Sequence, residues 1–578
     1  MEATLTTEPN FDKLPRFEKR QFVPEGACLT DKEQVLPLFK ELLKRNISSS
    51  LELKTWVKDR SELEAAFDQE GIILYIRMTS QTDDLKRAAD YKQFVETVAP
   101  QVEILVDQLN WKYIKLFERS PLDPHYYAIY NRVLKSDIGL FRQDNVPLET
   151  QLHLLSQEYQ KVCGAMSVPF RNEEYTLPQM AKFLFEQDRN LRAAAFRAAA
   201  HRRLQDKERL EDIFDKMVKL RHQIAEQADC KDFSEFQFRH YHRFDYTPED
   251  CKIFHSTIER CVTPLLKEIF QRRKAQMRLG DLRPWDLAVD PSGRPPLKPF
   301  QHVDHLISGV TEMLSRTDSE LGLEFQDIAE MRLMDLTSRK GKAPGGYQQT
   351  LAEARKPFIF MNAVGLDQDV MTLLHEAGHA FHALAAASQF LYSYRHAPME
   401  FCEVASMGME LLAGDFISVF YNPEDARRSR ISHFEDILET LAWVATIDAF
   451  QFWIYEHPTH PRKERIQAWL AIRRRFAPAI VDWRGLEEIE SYLWQRQLHI
   501  FEAPFYYIEY AIAQLGTLQL WLGYRREPQK ALSDFKRALS LGGSKSLPEI
   551  FETAGIKFDF SQETMIPFIK AVEEEINI

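Results

Sequence analysis

The sequence predicts an all-α protein, mainly helical, with one small β-sheet. Three observations carry this. Apolar residues recur at helical spacing over long segments, strong helix formers fill the positions between them, and a single stretch gives up that period for short runs bounded by Gly and Pro. Leu177, Met180, Phe183 and Leu184 open the clearest helical segment, which runs from 177 to 227. Thr247 reads as an N-cap, with Pro248 at the first helical position and two acids in the first turn. Residues 282–300 hold five prolines and one glycine, which predicts an irregular crossing loop. In residues 331–365 "MRLMDL" and "FIFMN" read as strands flanking the loop "KGKAPGG". At 578 residues the chain exceeds one core, and a division near 175 sets an N-terminal helical lobe, 1–174, apart from 175–578.

Composition narrows the function classes. The formal charge is −12, from 74 Lys and Arg against 86 Asp and Glu, with both signs interleaved. That argues against nucleic acid or an anionic membrane as partner. The first 20 residues are polar and acidic and show no export signal, and no stretch of 18 uncharged apolar residues occurs. Six scattered cysteines without a CxxC pair suit reduced thiols, so a soluble, cytoplasmic protein is expected.

The chemistry concentrates in "LHEAGHAFH", residues 374–382. On a helix, i and i+4 project from one face, so His375 and His379 can reach one tetrahedral Zn²⁺. Glu376, one step round, is placed to act as a general base toward water in the open position. The helix is apolar on nearly every face, so its polar residues need partners. His382 reads either as a support hydrogen-bonded into the site or as a satisfied core histidine.

HExxH leaves zinc one protein ligand short, which predicts an acid or histidine on a second buried helix. The stretch 397–420 offers Glu400 and Glu403. Glu403 is chosen, because Ser406 and Glu410 share its face, while Glu400 lies nearer the helix start, where an acid is favoured in any case. Glu410 is then a second-shell acceptor for a ligand histidine, or a core-edge acid paired with an arginine. Cys402 points elsewhere and reads as packing. His457 and His460, among prolines, read as an exposed loop. Farther on, His499, Tyr506, Tyr507 and Tyr510 crowd 12 positions, as a core stripe or as donors toward an oxyanion.

The motif order "HEAGHAFH", "EVASMGME" and the His/Tyr cluster resembles the M3 family of metallopeptidases, the thimet oligopeptidase and oligoendopeptidase F group. Softer similarity in "YTLPQMAKFLF", "RFDYTPED", "LRPWD", "SRKGKAPGGY" and "PFIFMNAVG" extends it over roughly 175 to 560. The resemblance implies a two-lobed helical body with a deep central channel that admits short peptides, and one zinc per chain. It implies His375, His379 and Glu403 as ligands, Glu376 as base, and His499, Tyr506 and Tyr510 on the oxyanion side, with the tyrosine that makes the contact left open. It also implies a mobile loop over the substrate built on Gly345, Gly346 and Tyr347, a channel strand carrying Phe360 that could pair with a peptide backbone, and Tyr507 among the substrate contacts. Two rivals remain: a helical zinc carboxypeptidase or dipeptidyl carboxypeptidase, which would need a free peptide terminus, and a peptide-binding protein without turnover, which would have no use for Glu376.

Overall fold

Helices dominate because the sequence supplies both their stripes and their ends. The computed structural model describes residues 11, 14–339, 341–343 and 345–577. The helical segment from 177 to 227 is divided into Leu177–Ala181 with a 3₁₀ turn to Phe185, then Arg189–Gln205 and Lys207–Gln227. Asp188 starts the second piece, its carboxylate accepting from the Asn190 N–H at 2.9 Å. Thr247 caps Pro248–Thr257 as expected, and Asp250 returns a bond from the Thr247 N–H at 2.7 Å. The proline-rich loop is irregular apart from the 3₁₀ turn Pro284–Asp286. Its buried Asp286 takes Arg189 at 2.7 Å and Arg192 at 2.9 Å.

Two small sheets occur, where one was expected. The first is a hairpin, Ser167–Phe170 against Glu173–Thr176, turned by Arg171 and Asn172 at φ 53° and 68°. Two successive positive φ values are a type I′ turn, and without the usual Asn-Gly pair no hairpin signal is legible there. The second sheet has strands β1 (Met334–Thr337), β2 (Tyr347–Leu351) and β3 (Lys356–Ala363), in the order β1-β3-β2. β3 runs parallel to β1 and antiparallel to β2. β1 and β3 match the two predicted strands. β2, "YQQTL", escaped because only Leu351 in it is fully buried and no apolar alternation marks it.

The chain forms two units, each discontinuous in sequence. Unit 1 comprises Met1–Val146, Pro299–Asn422 and Gly516–Phe558. It contains the helix α1 (Ser50–Ser80), the three-stranded sheet, and the helices α2 (Asp367–Ala385) and α3 (Met399–Gly414). Part of its core joins the N-terminal helices, through Phe39, Leu42, Trp56 and Tyr113, to Leu391 and Tyr394. The Tyr394 hydroxyl donates to the Tyr126 carbonyl and accepts from the Tyr130 N–H at 3.2 Å, so those helices brace the turn that precedes α3.

Unit 2 comprises Pro147–Lys298, Pro423–Leu515 and Asp559–Ile578. Its axis is the 34-residue helix Pro423–Glu456, which is long and apolar enough to cross a membrane, yet 78% of its most apolar window is buried in the protein. The length is spent on core. Buried polar pairs hold other segments to it: His255 meets Asp448 at 2.7 Å, and Arg221 donates to the Tyr455 hydroxyl at 2.8 Å.

Candidate active site

α2 starts where β3 ends, and Asp369 ties the two together. Its carboxylate accepts from the backbone N–H groups of Val364, Gly365 and Leu366 at 2.7, 2.7 and 2.9 Å. Gly365, at φ +90°, makes that turn in a conformation other residues rarely adopt. The direction of the helix carrying His375 is thus set by the sheet.

α3 lies unusually close to α2. A Cβ on Gly378 would fall 2.3 Å from the Ala405 carbonyl oxygen and 2.5 Å from Ser406 Cα. The glycine inside HEAGH is therefore a packing requirement, and it brings Glu403 to the histidines. The His375 and His379 Nε2 atoms lie 3.4 and 3.6 Å from the same Glu403 oxygen. All three donor atoms sit within 4.8 Å of one another. Tetrahedral bonds to zinc of about 2.0–2.1 Å would put the ligand atoms about 3.3 Å apart, so this donor set fits that ion.

The ligand side chains are held from behind. His375 Nδ1 contacts a Glu410 oxygen at 2.7 Å, the acceptor position expected for Glu410. Ser406 donates to a Glu403 carboxylate oxygen at 3.0 Å, and His379 is hydrogen-bonded to the Cys402 backbone. Burial lowers the His375 imidazole, but Glu403 and Glu410 more than offset it and hold the group well above its ordinary value. Burial takes His379 down to about 4, because it feels the charges of Glu403 and Glu410 without the hydrogen bonds to both that His375 has.

Glu376 is 5% exposed, and its Oε2 has no hydrogen-bond partner among the described residues. Burial pushes its carboxyl up to about 8, against the pull of His375 and with the push of Glu403 and Glu410. An orphaned buried carboxyl beside a metal-type donor set is placed to take and give a proton. His382 departs from both expectations. It is 4% exposed with neither ring nitrogen partnered among the described residues, and it packs edge-on against Phe401 at 5.9 Å.

Gly346 lies against Glu376: a Cβ there would come within 3.2 Å of Glu376 Oε1 and 3.4 Å of the Phe360 carbonyl oxygen. Tyr347 stacks on Phe360, ring centroids 4.5 Å apart, and its hydroxyl meets Thr79 of α1 at 2.6 Å. The loop expected to be mobile is tied down wherever it is described, Lys340 and Pro344 lying outside the described residues. Ala343 N–H donates to the Thr79 carbonyl at 2.8 Å, and Asn362 donates to the carbonyls of Ala343 and Gly345 at 2.8 and 2.9 Å. Lys342 donates to the carbonyls of Met361, Asp335 and Thr337 and to the Asp335 carboxylate. β3 is the central strand, so the expectation that it pairs with a peptide is corrected: β1 and β2 are the edge strands.

Unit 2 gathers His499, Tyr506, Tyr507 and Tyr510, with ring centroids 5.6, 5.0 and 5.7 Å from His499 to the three tyrosines. Trp443 donates to Gln497, whose amide nitrogen contacts His499 Nδ1 at 2.9 Å, and His499 Nε2 contacts the Tyr510 hydroxyl at 3.3 Å. This relay from Trp443 was not visible in the sequence, because its members come from separate helices. The segment is anchored by Arg243, which pairs with buried Glu509 and donates to the Phe505 carbonyl at 2.6 Å. Phe505 sits at φ 64° and its N–H donates to Gln451 at 3.0 Å.

A helix bearing two histidines and an acid, packed through a glycine on a second helix that supplies a carboxylate, defines a helical metallohydrolase centre. The chain belongs to peptidase family M3, whose family model matches residues 183–567. It is 21% identical over 392 residues to an oligoendopeptidase F homolog of Borreliella burgdorferi, a match covering 65% of this chain and 62% of that protein. It is 22% identical over 327 residues to oligopeptidase PepF of Bacillus subtilis, covering 54% of this chain and 46% of the relative. The matches thus span less than two thirds of these relatives' lengths. Among solved structures, Pz peptidase A with an inhibitor is 28% identical with a TM-score of 0.89, covering 97% of this chain and 98% of that one. Membership implies a metal ion.

Proposed function

We propose that the protein is a zinc-dependent oligoendopeptidase that hydrolyses internal bonds of short, unstructured peptides in the cytoplasm. The observation that carries this reading is the orphaned carboxyl of Glu376 beside the convergent donors of His375, His379 and Glu403. Those three residues would hold the zinc, which supplies Lewis acidity and draws the pKa of its water toward about 7. Glu376 takes the proton of the attacking water and returns it to the leaving amine, a shuttle suited to a carboxyl near neutrality. Glu410 fixes the ring of His375, and Ser406 fixes the carboxylate of Glu403. On family resemblance, His499, Tyr506 and Tyr510 donate to the developing oxyanion. Gly346, Tyr347 and Phe360 border the base, and an extended peptide would add to β2, the edge strand that carries Tyr347. Six cysteines, none in a disulfide, support a reducing compartment.

The test is mass spectrometry of a peptide mixture incubated with the wild type and with Glu376→Gln. Internal cuts in peptides blocked at both ends, made by the wild type alone, are the expected result. Identical products from the two proteins would refute catalysis at this site, and cuts confined to peptides with a free terminus would favour the carboxypeptidase reading.

A further inference from the structure

Unit 2 contains a cavity of about 220 Å³ that the reading above does not use. Its walls come from Leu177–Ala181, Arg189–Gln205 and the turn after Glu487. Met180, Ala195, Leu210 and Ile489, between 1 and 8% exposed, form an apolar floor. Two guanidiniums also line it, Arg203 and Arg496. Arg203 is half-buried and Arg496 exposed, so they mark the side on which the cavity meets solvent.

Neither arginine has a carboxylate partner among the described residues. This is unusual in its surroundings: Arg189 and Arg192, on the same helix as Arg203, share Asp286, and Arg473 pairs with Glu490. Arg496 instead lies over the ring of Trp443 at 4.9 Å, a contact with the guanidinium face that leaves its N–H edge available. Arg203 is close enough for its charge to act on Arg496. Two neighbouring cations without an acid repel each other until an anion joins them. The apolar floor restricts what that anion carries. A bare inorganic ion would leave the floor empty, and a volume below the roughly 300 Å³ of drug-sized sites admits only a short body.

We propose that this cavity binds a carboxylate carried on a short apolar body, with the carboxylate forked by Arg203 and Arg496 and the apolar part seated on Met180, Ala195 and Ile489. Planar guanidinium matches planar carboxylate in two parallel hydrogen bonds, and burial of the apolar part adds the affinity that a surface ion pair lacks. The same chemistry is offered by a medium-length acyl acid and by an apolar residue with a free carboxyl, as at a peptide C-terminus. The site is separate from the metal ligands and does not depend on the peptidase reading.

The test is calorimetric titration of the full-length, metal-loaded protein with octanoate, octanol, N-acetyl-leucine and N-acetyl-leucinamide, repeated on an Arg203→Gln/Arg496→Gln double variant. At least one acid is expected to bind with its neutral counterpart at least tenfold weaker, and the double variant is expected to lose at least tenfold in affinity for that acid. Tighter binding of octanoate points to an acyl acid, and tighter binding of N-acetyl-leucine to a peptide terminus. Neutral and acidic ligands binding alike in the wild type would overturn the proposal, independently of how the variant folds. So would an unchanged affinity in the double variant, or no binding of either acid at about 1 mM.

Discussion

At His375 a ring that can carry a proton stands between two carboxylates, Glu403 and Glu410, whereas at Arg496 a permanent cation stands beside a second cation, Arg203, with no carboxylate at hand. The first cluster is almost complete in itself. Ser406, Glu410 and the Cys402 backbone hold its donors, and among the described residues Glu376 Oε2 is left without a partner. Among the described residues, no carboxylate of its own unit completes the second cluster. The difference separates groups that hold an arrangement from groups left open for an incoming partner, and the unpartnered atoms, more than burial or charge alone, mark the second kind.

Four measurements would break or sharpen this contrast. The largest effect is expected for Glu376→Gln, which keeps the size of the side chain and removes the proton carrier. Peptidase turnover should fall by about 10²–10⁴-fold while metal content, measured by elemental analysis, stays at the wild-type level. Glu410→Gln alters a support of His375, and metal affinity measured against a competing chelator should drop about 10–100-fold. An unchanged affinity would mean that the Glu410 contact at 2.7 Å does not orient the ring.

Gly378→Ala comes next. The new methyl would overlap the backbone of Ala405 and Ser406, so the two helices must part, and a loss of about 1–3 kcal/mol is expected in denaturant unfolding. Gly414→Ala, at a position with nothing within 4 Å, should change stability by no more than about 0.5 kcal/mol. Equal effects at the two glycines would remove the close-approach argument. The smallest effect concerns Glu502, an acid of unit 2 raised to about 7 by burial, with a bond from Gln160 opposing the rise. A carboxyl whose folded pKa exceeds its unfolded value favours folding in its protonated form. That advantage is full below about pH 4.5 and is lost as pH rises through about 7. Glu502→Gln should therefore raise stability at pH 8 by about 1–2 kcal/mol, a figure reduced for partial solvent contact, and leave it unchanged near pH 4. A scanning-calorimetry series across that range decides it.

Legibility followed local spacing. His375 and His379 could be placed because i and i+4 share a helix face whatever the rest of the chain does, and Glu403 and Glu410 because Ser406 between them fixed a second face. Gly378 was in plain view, but its role depends on how near a second helix comes, and no single helix encodes that distance. β2 was missed because an edge strand with one buried residue has no apolar period to show. The loop carrying Gly345 and Gly346 was expected to be mobile, yet Lys342 within it contacts residues on both neighbouring strands, which the spacing of the loop does not reveal. The cavity was invisible for a similar reason. Met180, Ala195 and Ile489 are ordinary helix-core residues in three separate segments, and only their convergence with Arg203 and Arg496 gives them a common meaning.

Lys342 has a thermodynamic consequence as well. Its ammonium is buried, spread over four oxygen atoms and seated above the Phe360 ring at 4.3 Å, so Lys342 is fixed to both neighbouring strands. Ordering entropy that a floppy side chain would surrender at capture has already been lost during folding. An ammonium fixed in this way contributes no ordering cost of its own to an event beside Glu376.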